Sequence, residues 1–112
     1  MHLTPDILEA AYDYLRSTPP FRRWGLPAGE QVEFHVTRRR EHRGDCQSAH
    51  NHHIIRISAF NIGHTDSLMR VMAHEMVHVH CDRKKVRAHH GREFLRAAAR
   101  VCQLHGFDPK LF

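Results

Sequence analysis

The stretch His74-Glu75-Met76-Val77-His78 decides how the chain reads, because it sets two imidazoles four residues apart with a carboxylate beside the first. On an α-helix each residue advances about 100°, so the two histidines fall about 40° apart on one face, one turn above the other. Glu75 projects from the side of that face. Two neutral imidazoles bind Zn²⁺ at about 2.0–2.1 Å, and a third protein ligand leaves a fourth position for water. The ion lowers that water's pKa toward roughly 7, and an adjacent carboxylate can then take its proton as general base. The pattern is that of a zinc peptidase, and its weight depends on the helix around it.

The flanking residues supply that helix. After Asn61-Ile62-Gly63, Thr65 or Asp66 can cap a helix that runs through Leu68, Met69, Met72 and both histidines to about Cys81, so the motif sits mid-helix. Near the start of the chain Thr4-Pro5-Asp6 marks another helix, with Thr4 as N-cap, Pro5 at the first helical position and Asp6 at the positive end of the dipole. Ile7, Leu8, Ala11, Tyr14 and Leu15 recur at helical spacing to about Arg16, and Pro19-Pro20 prevents continuation. Residues 21–27 form a loop whose Phe21, Trp24 and Leu26 cap the core.

Gln31-Val32-Glu33-Phe34-His35-Val36-Thr37 alternates polar and apolar residues, which predicts a half-buried strand with Val32, Phe34 and Val36 inward. Residues 44–49 give a weaker strand signal and residues 53–58 a stronger one. Two or three strands in a mostly antiparallel sheet are expected. A last helix, starting near His90 or Gly91, carries Phe94, Leu95, Ala98, Val101 and Cys102 at helical spacing and stops at Gly106, with Pro109 beyond.

At 112 residues the chain is sized for one domain, 1–112, around one core. The opening Met1-His2-Leu3-Thr4 lacks a basic start and apolar run, and no apolar stretch is long enough to span a bilayer, so an intracellular, cytoplasmic protein without a membrane partner is expected. Three cysteines, Cys46, Cys81 and Cys102, without a C-x-x-C pair, read as buried thiols. Net charge is +5, from 17 Lys and Arg against 12 Asp and Glu. The excess clusters at Arg22-Arg23, at Arg38-Arg39-Arg40 with Arg43, and at Arg83-Lys84-Lys85 with Arg87. The last two runs are the candidate contacts for a polyanion such as DNA.

The third ligand is open among several residues. His80 lies on the far side of the helix from His78, and Cys81 sits one turn further along, which disfavours both. The metzincin template needs Gly at position 81 and His at position 84, where this chain has Cys81 and Lys84, so that class is excluded. His90, His89 and Glu93 remain on ligand type and access. Glu93 is alternatively placed to orient His89 or His90 through a hydrogen bond.

His90-Gly91-Arg92-Glu93-Phe94, following the His74-to-His78 motif after a short connector, resembles the SprT-like metallopeptidases, the group that includes the Spartan proteases of DNA–protein crosslink repair. Gly44 with Cys46 and Ile55-Arg56-Ile57-Ser58 fall in the expected order upstream. The resemblance implies His90 as the third zinc ligand beside His74 and His78, Glu75 as the catalytic base, and a protein or peptide substrate, unfolded or DNA-bound. It implies an α+β fold: a small zincin-like domain with an N-terminal helix, a small sheet, the active-site helix, and a C-terminal helix bearing the third ligand. A nucleic-acid-binding or partner-binding module with a structural or vestigial zinc is the rival reading. His50, His52 and His53 read as surface or strand-end side chains rather than a second metal site, and His35 as a strand residue.

Overall fold

A computed structural model describes residues 2–86 and 89–112, and of Asn61 the backbone only. The described residues form three α-helices and a three-stranded mixed sheet.

Helix α1, Pro5–Arg16, begins where its cap dictates: Thr4 Oγ1 accepts the Ile7 N–H at 3.2 Å and Pro5 occupies the first turn. Its buried stripe is Leu8, Ala11, Tyr12 and Leu15, the i, i+3, i+4, i+7 set. Ile7 and Tyr14, expected on that stripe, lie on its flanks and are 39% and 60% exposed. Tyr12 goes inside because its hydroxyl finds a partner there, donating to the Pro27 carbonyl at 2.6 Å. That bond, and the Gly29 N–H donated to Asp13 at 2.9 Å, hold the loop after α1 against the helix. Phe21 and Leu26 from this loop are buried in the core.

Strand β1, Glu33–Thr37, turns Phe34 inward. Strands β2, Gly44–Ala49, and β3, His52–Ser58, form a hairpin closed by His50 and Asn51, both at positive φ (52° and 63°), the left-handed pair that matches the twist of a two-residue connection. The order is β1-β3-β2, with β1 parallel to β3 and β2 antiparallel to it. The mostly antiparallel sheet expected from the sequence is therefore corrected to one parallel and one antiparallel pairing. The cause is the connector 38–43, which crosses the end of β3 instead of turning back: Ser58 donates from its N–H to the Arg43 carbonyl at 2.8 Å and from its hydroxyl to the Arg39 carbonyl at 2.6 Å. β3 thus lies between β1 and β2, and among the described residues β2 keeps a free edge.

Helix α2, Thr65–Arg83, starts one or two residues earlier than a cap at Thr65 or Asp66 would place it, with His64 as N-cap. From Val71 to Cys81 it is buried on nearly every side, because it packs on α1, on the sheet and on helix α3, Arg92–His105. α3 buries Phe94, Ala98, Val101 and Cys102 and ends at Gly106, whose φ of 76° closes the helix with an N–H to the Cys102 carbonyl at 2.8 Å. Leu95, expected inside, is 59% exposed on the flank of that stripe. Cys46, Cys81 and Cys102 are free thiols, the first half-buried and the others buried. Among the described residues no helix is long and apolar enough to cross a membrane.

Candidate metal centre

One turn of α2 brings the rings of His74 and His78 to 5.0 Å between centroids. Phe94, from the first turn of α3, forms the wall they share: its ring lies 5.0 Å from His74, 4.4 Å from His78 and 4.8 Å from His90. His90 itself belongs to the turn before α3, whose N-cap is Gly91, so the expected placement on the helix is corrected by two residues. An N-cap residue has an extended backbone, and that bend sends the chain from α3 back across the histidine pair. The exposed His90 then reaches α2, with Nε2 atoms of His78 and His90 3.1 Å apart.

One ligand atom from each of His74, His78 and His90 lies within 4.8 Å of the others, and the three could hold a metal ion. The separations suit the task, since two nitrogens on a tetrahedral ion at about 2.05 Å would lie about 3.3 Å apart. His74 is oriented from behind: its Nδ1 donates to the main-chain oxygen of Phe112 at 2.6 Å, which directs Nε2 forward as a lone-pair donor. Burial lowers the pKa of all three imidazoles, to about 3 for His78, where His74, His89 and His90 add to the effect. They are therefore neutral, the form in which imidazole ligates.

Glu75 is 4% exposed, and burial, with Asp45 adding to it, pushes its carboxyl up to about 8. It shares with His74 a hollow of about 210 Å³ bounded by Arg43, Gly44, Arg70 and Phe112. Beyond His78 a second hollow of about 520 Å³ is lined by Cys46, Ser48, Asp82, Lys85 and His89. β2 or the loop before it borders both, and α2 forms the opposite wall. One hollow thus adjoins His74 and the other His78, both between α2 and the outer strand of the sheet or the loop before it.

Among the described residues the other candidate ligands do not join that cluster. Glu93 points away, 4.0 Å from Lys84, and lines a third hollow with Trp24 and His80. His89 stacks on His78 at 4.3 Å and 15°. His80 stacks on Trp24 at 4.0 Å and 14°. His35 pairs with Glu33 at 2.7 Å. Among the described residues no second group of three ligand atoms converges. His53, expected at a strand end, is instead 2% exposed, with Nδ1 2.6 Å from Ser48 Oγ. Alternation along β3 could have found it, since His53, Ile55 and Ile57 share the inward face.

Of the basic runs, Arg39 lies 3.7 Å from Asp45, Arg40 sits over the Phe60 ring, Arg83 donates to the Gly25 carbonyl and Lys84 approaches Glu93. Arg38 and Lys85 are exposed, and Arg87 lies outside the described residues.

The SprT-like family model matches residues 14–111. The chain belongs to the SprT-like family. Its matched segment contains α2, the 89–91 turn and α3, and therefore the whole histidine cluster. Comparisons with curated proteins and with solved structures found no match. Members of the SprT-like family are generally metallopeptidase-like, and the three converging imidazoles agree with that character.

Proposed function

We propose that this SprT-like chain is a zinc-dependent metallopeptidase in which His74, His78 and His90 hold the ion and Glu75 is the general base. The convergence of the three imidazoles beside a buried carboxylate carries this reading. A three-histidine set favours zinc among the available divalent ions, and when bound it supplies Lewis acidity and acidifies water at neutral pH.

The chain's own residues do the rest. The free edge of β2 offers unpaired backbone groups to an extended peptide, which would run between that strand and α2 past His74, Glu75 and His78. In its ionised form Glu75 takes a proton from the attacking water and returns it to the departing amine. Phe94 keeps the imidazoles in register and shields their inner side from solvent. Glu75→Gln is expected to bind one zinc per chain, measured by metal analysis, while losing at least about a hundredfold in peptide cleavage. Undiminished cleavage by that variant would exclude Glu75 as the base.

Action on DNA-associated proteins is proposed on a separate observation. Arg22, Arg23, Arg96 and Arg100 surround Trp24 at two adjoining hollows of about 440 and 430 Å³, and none of the four has an ion pair among the described residues. Cations around an aromatic ring suit a nucleic-acid strand. Arg38, Arg39, Arg40, Arg83, Lys84 and Lys85 would add to the same field. DNA affinity that falls with salt, with a slope reduced by about two when Arg96 and Arg100 are changed to Glu, is the expected result. DNA binding by a chain that takes up zinc and cleaves nothing would instead favour the nucleic-acid-binding module.

A further inference from the structure

Arg70 lies on α2 one turn before His74, and its side chain is only 15% exposed. One guanidinium nitrogen reaches Asp66 at 3.4 Å, but Asp66 is itself 79% exposed. The Nε atom is buried with no hydrogen-bond partner, alone in this respect among buried side-chain polar atoms of the described residues. Native structures satisfy such atoms, so an unsatisfied one calls for a reason. Arg70 lines the hollow that Glu75 and His74 also line, and Arg43 lines it too.

We propose that Arg70, with Arg43, makes this hollow a carboxylate-selective subsite beside the histidine cluster, which fixes where along its substrate the chain acts. The inference rests on the peptidase reading above. A guanidinium presents a planar fork of N–H donors matched to a carboxylate, and it does so most strongly where water is excluded. At about 210 Å³ the hollow is below the roughly 300–1,000 Å³ of drug-sized sites, so it accepts one side chain or one chain end. Glu41 also lines it, but is exposed, and Glu75 is directed to its proton-transfer role. Four residues of helix place Arg70 about 6 Å from His74 along the axis. An extended peptide advances about 3.3 Å per residue, so the carboxylate belongs within two residues of the scissile bond, on the Glu75 side.

The test uses the zinc-loaded Glu75→Gln chain, which separates binding from turnover, and fluorescent peptides differing at that one position. Amidated peptides carry Glu, Gln or Lys there, and a fourth ends in a free carboxylate at the same place. The Glu or carboxylate-ended peptide is expected to bind about tenfold tighter than the Gln peptide, and the two arms distinguish an acidic side chain from a chain terminus. Arg70→Gln is expected to abolish the preference and Arg70→Glu to turn it toward Lys. Equal affinities for all four peptides, or a preference that persists in both Arg70 variants, would overturn the subsite. Failure of the wild-type chain to cleave any of them, with the binding preference intact, would count against the peptidase reading alone.

Discussion

Phe94 makes the clearest demand at the residue scale, because it belongs to the core and to the histidine cluster at once. It is 3% exposed and touches all three histidine rings. Phe94→Ala is expected to cost about 3–4 kcal/mol in denaturant unfolding and to weaken zinc binding, since the cavity releases the imidazoles it held apart. Its neighbour Leu95, 59% exposed, gives the contrast: Leu95→Ala is expected to change stability by less than about 0.5 kcal/mol. His53 carries a pH dependence whose sign follows from its burial, which lowers its pKa below the unfolded value of about 6.5. Above that pH both states are neutral and no cost arises; below it the unfolded chain takes a proton that the folded chain resists, so stability falls with acid. In chelator-treated protein the gap between pH 7.5 and pH 5 is expected to narrow in His53→Gln, by at most one proton's slope, about 1.4 kcal/mol per pH unit. An unchanged gap would show that His53 accepts its proton in place. At this scale the sequence was most legible where spacing alone decides, as for His74, Glu75 and His78. The choice among His89, His90 and Glu93 was not legible, because it depends on the bend at Gly91 that leaves Glu93 toward Lys84 and His90 toward His78.

Elements were legible in proportion to how local their causes are. α1 starts at Pro5 because the Thr4 hydroxyl caps it and a proline opens its first turn, and Gly106 ends α3 for an equally local reason. The pairing of the strands is set by what the connector 38–43 does at a distance, crossing β3 and accepting Ser58's hydrogen bonds on its carbonyls, and nothing in its six residues announces that. Helix α2 presents the reverse difficulty: so much of it is buried that amphipathic periodicity is weak, and its inward faces follow from having neighbours on every side. The β2–β3 turn retains local strain, since His50 and Asn51 both hold positive φ without being glycine. Asn51→Gly is expected to stabilise the chain by about 0.5 kcal/mol, the relief of a left-handed residue offset by the greater freedom of glycine when unfolded. A loss of stability in denaturant melts would place the strain elsewhere.

On the scale of the whole molecule, the histidine cluster joins parts of the chain that the core joins only on one side. His74 and His78 lie on α2, at the centre of the packing, whereas His90 comes from the exposed turn before α3, and Phe112 backs His74 from beyond that helix. α1 and the sheet pack on α2 without contributing to the cluster. A metal held there would therefore tie the C-terminal limb to the rest, adding about 2.7 kcal/mol to the folded state when free zinc exceeds its dissociation constant a hundredfold. The stabilisation has a location as well as a size. Stripping zinc is expected to raise amide hydrogen exchange chiefly over residues 89–112, leaving β3 and the middle of α2 protected, and His90→Ala is expected to show that same pattern with zinc present. A chelator effect spread evenly over α1 and the sheet would mean that the ion supports the entire fold, and His90 would lose its place as the link between the two limbs.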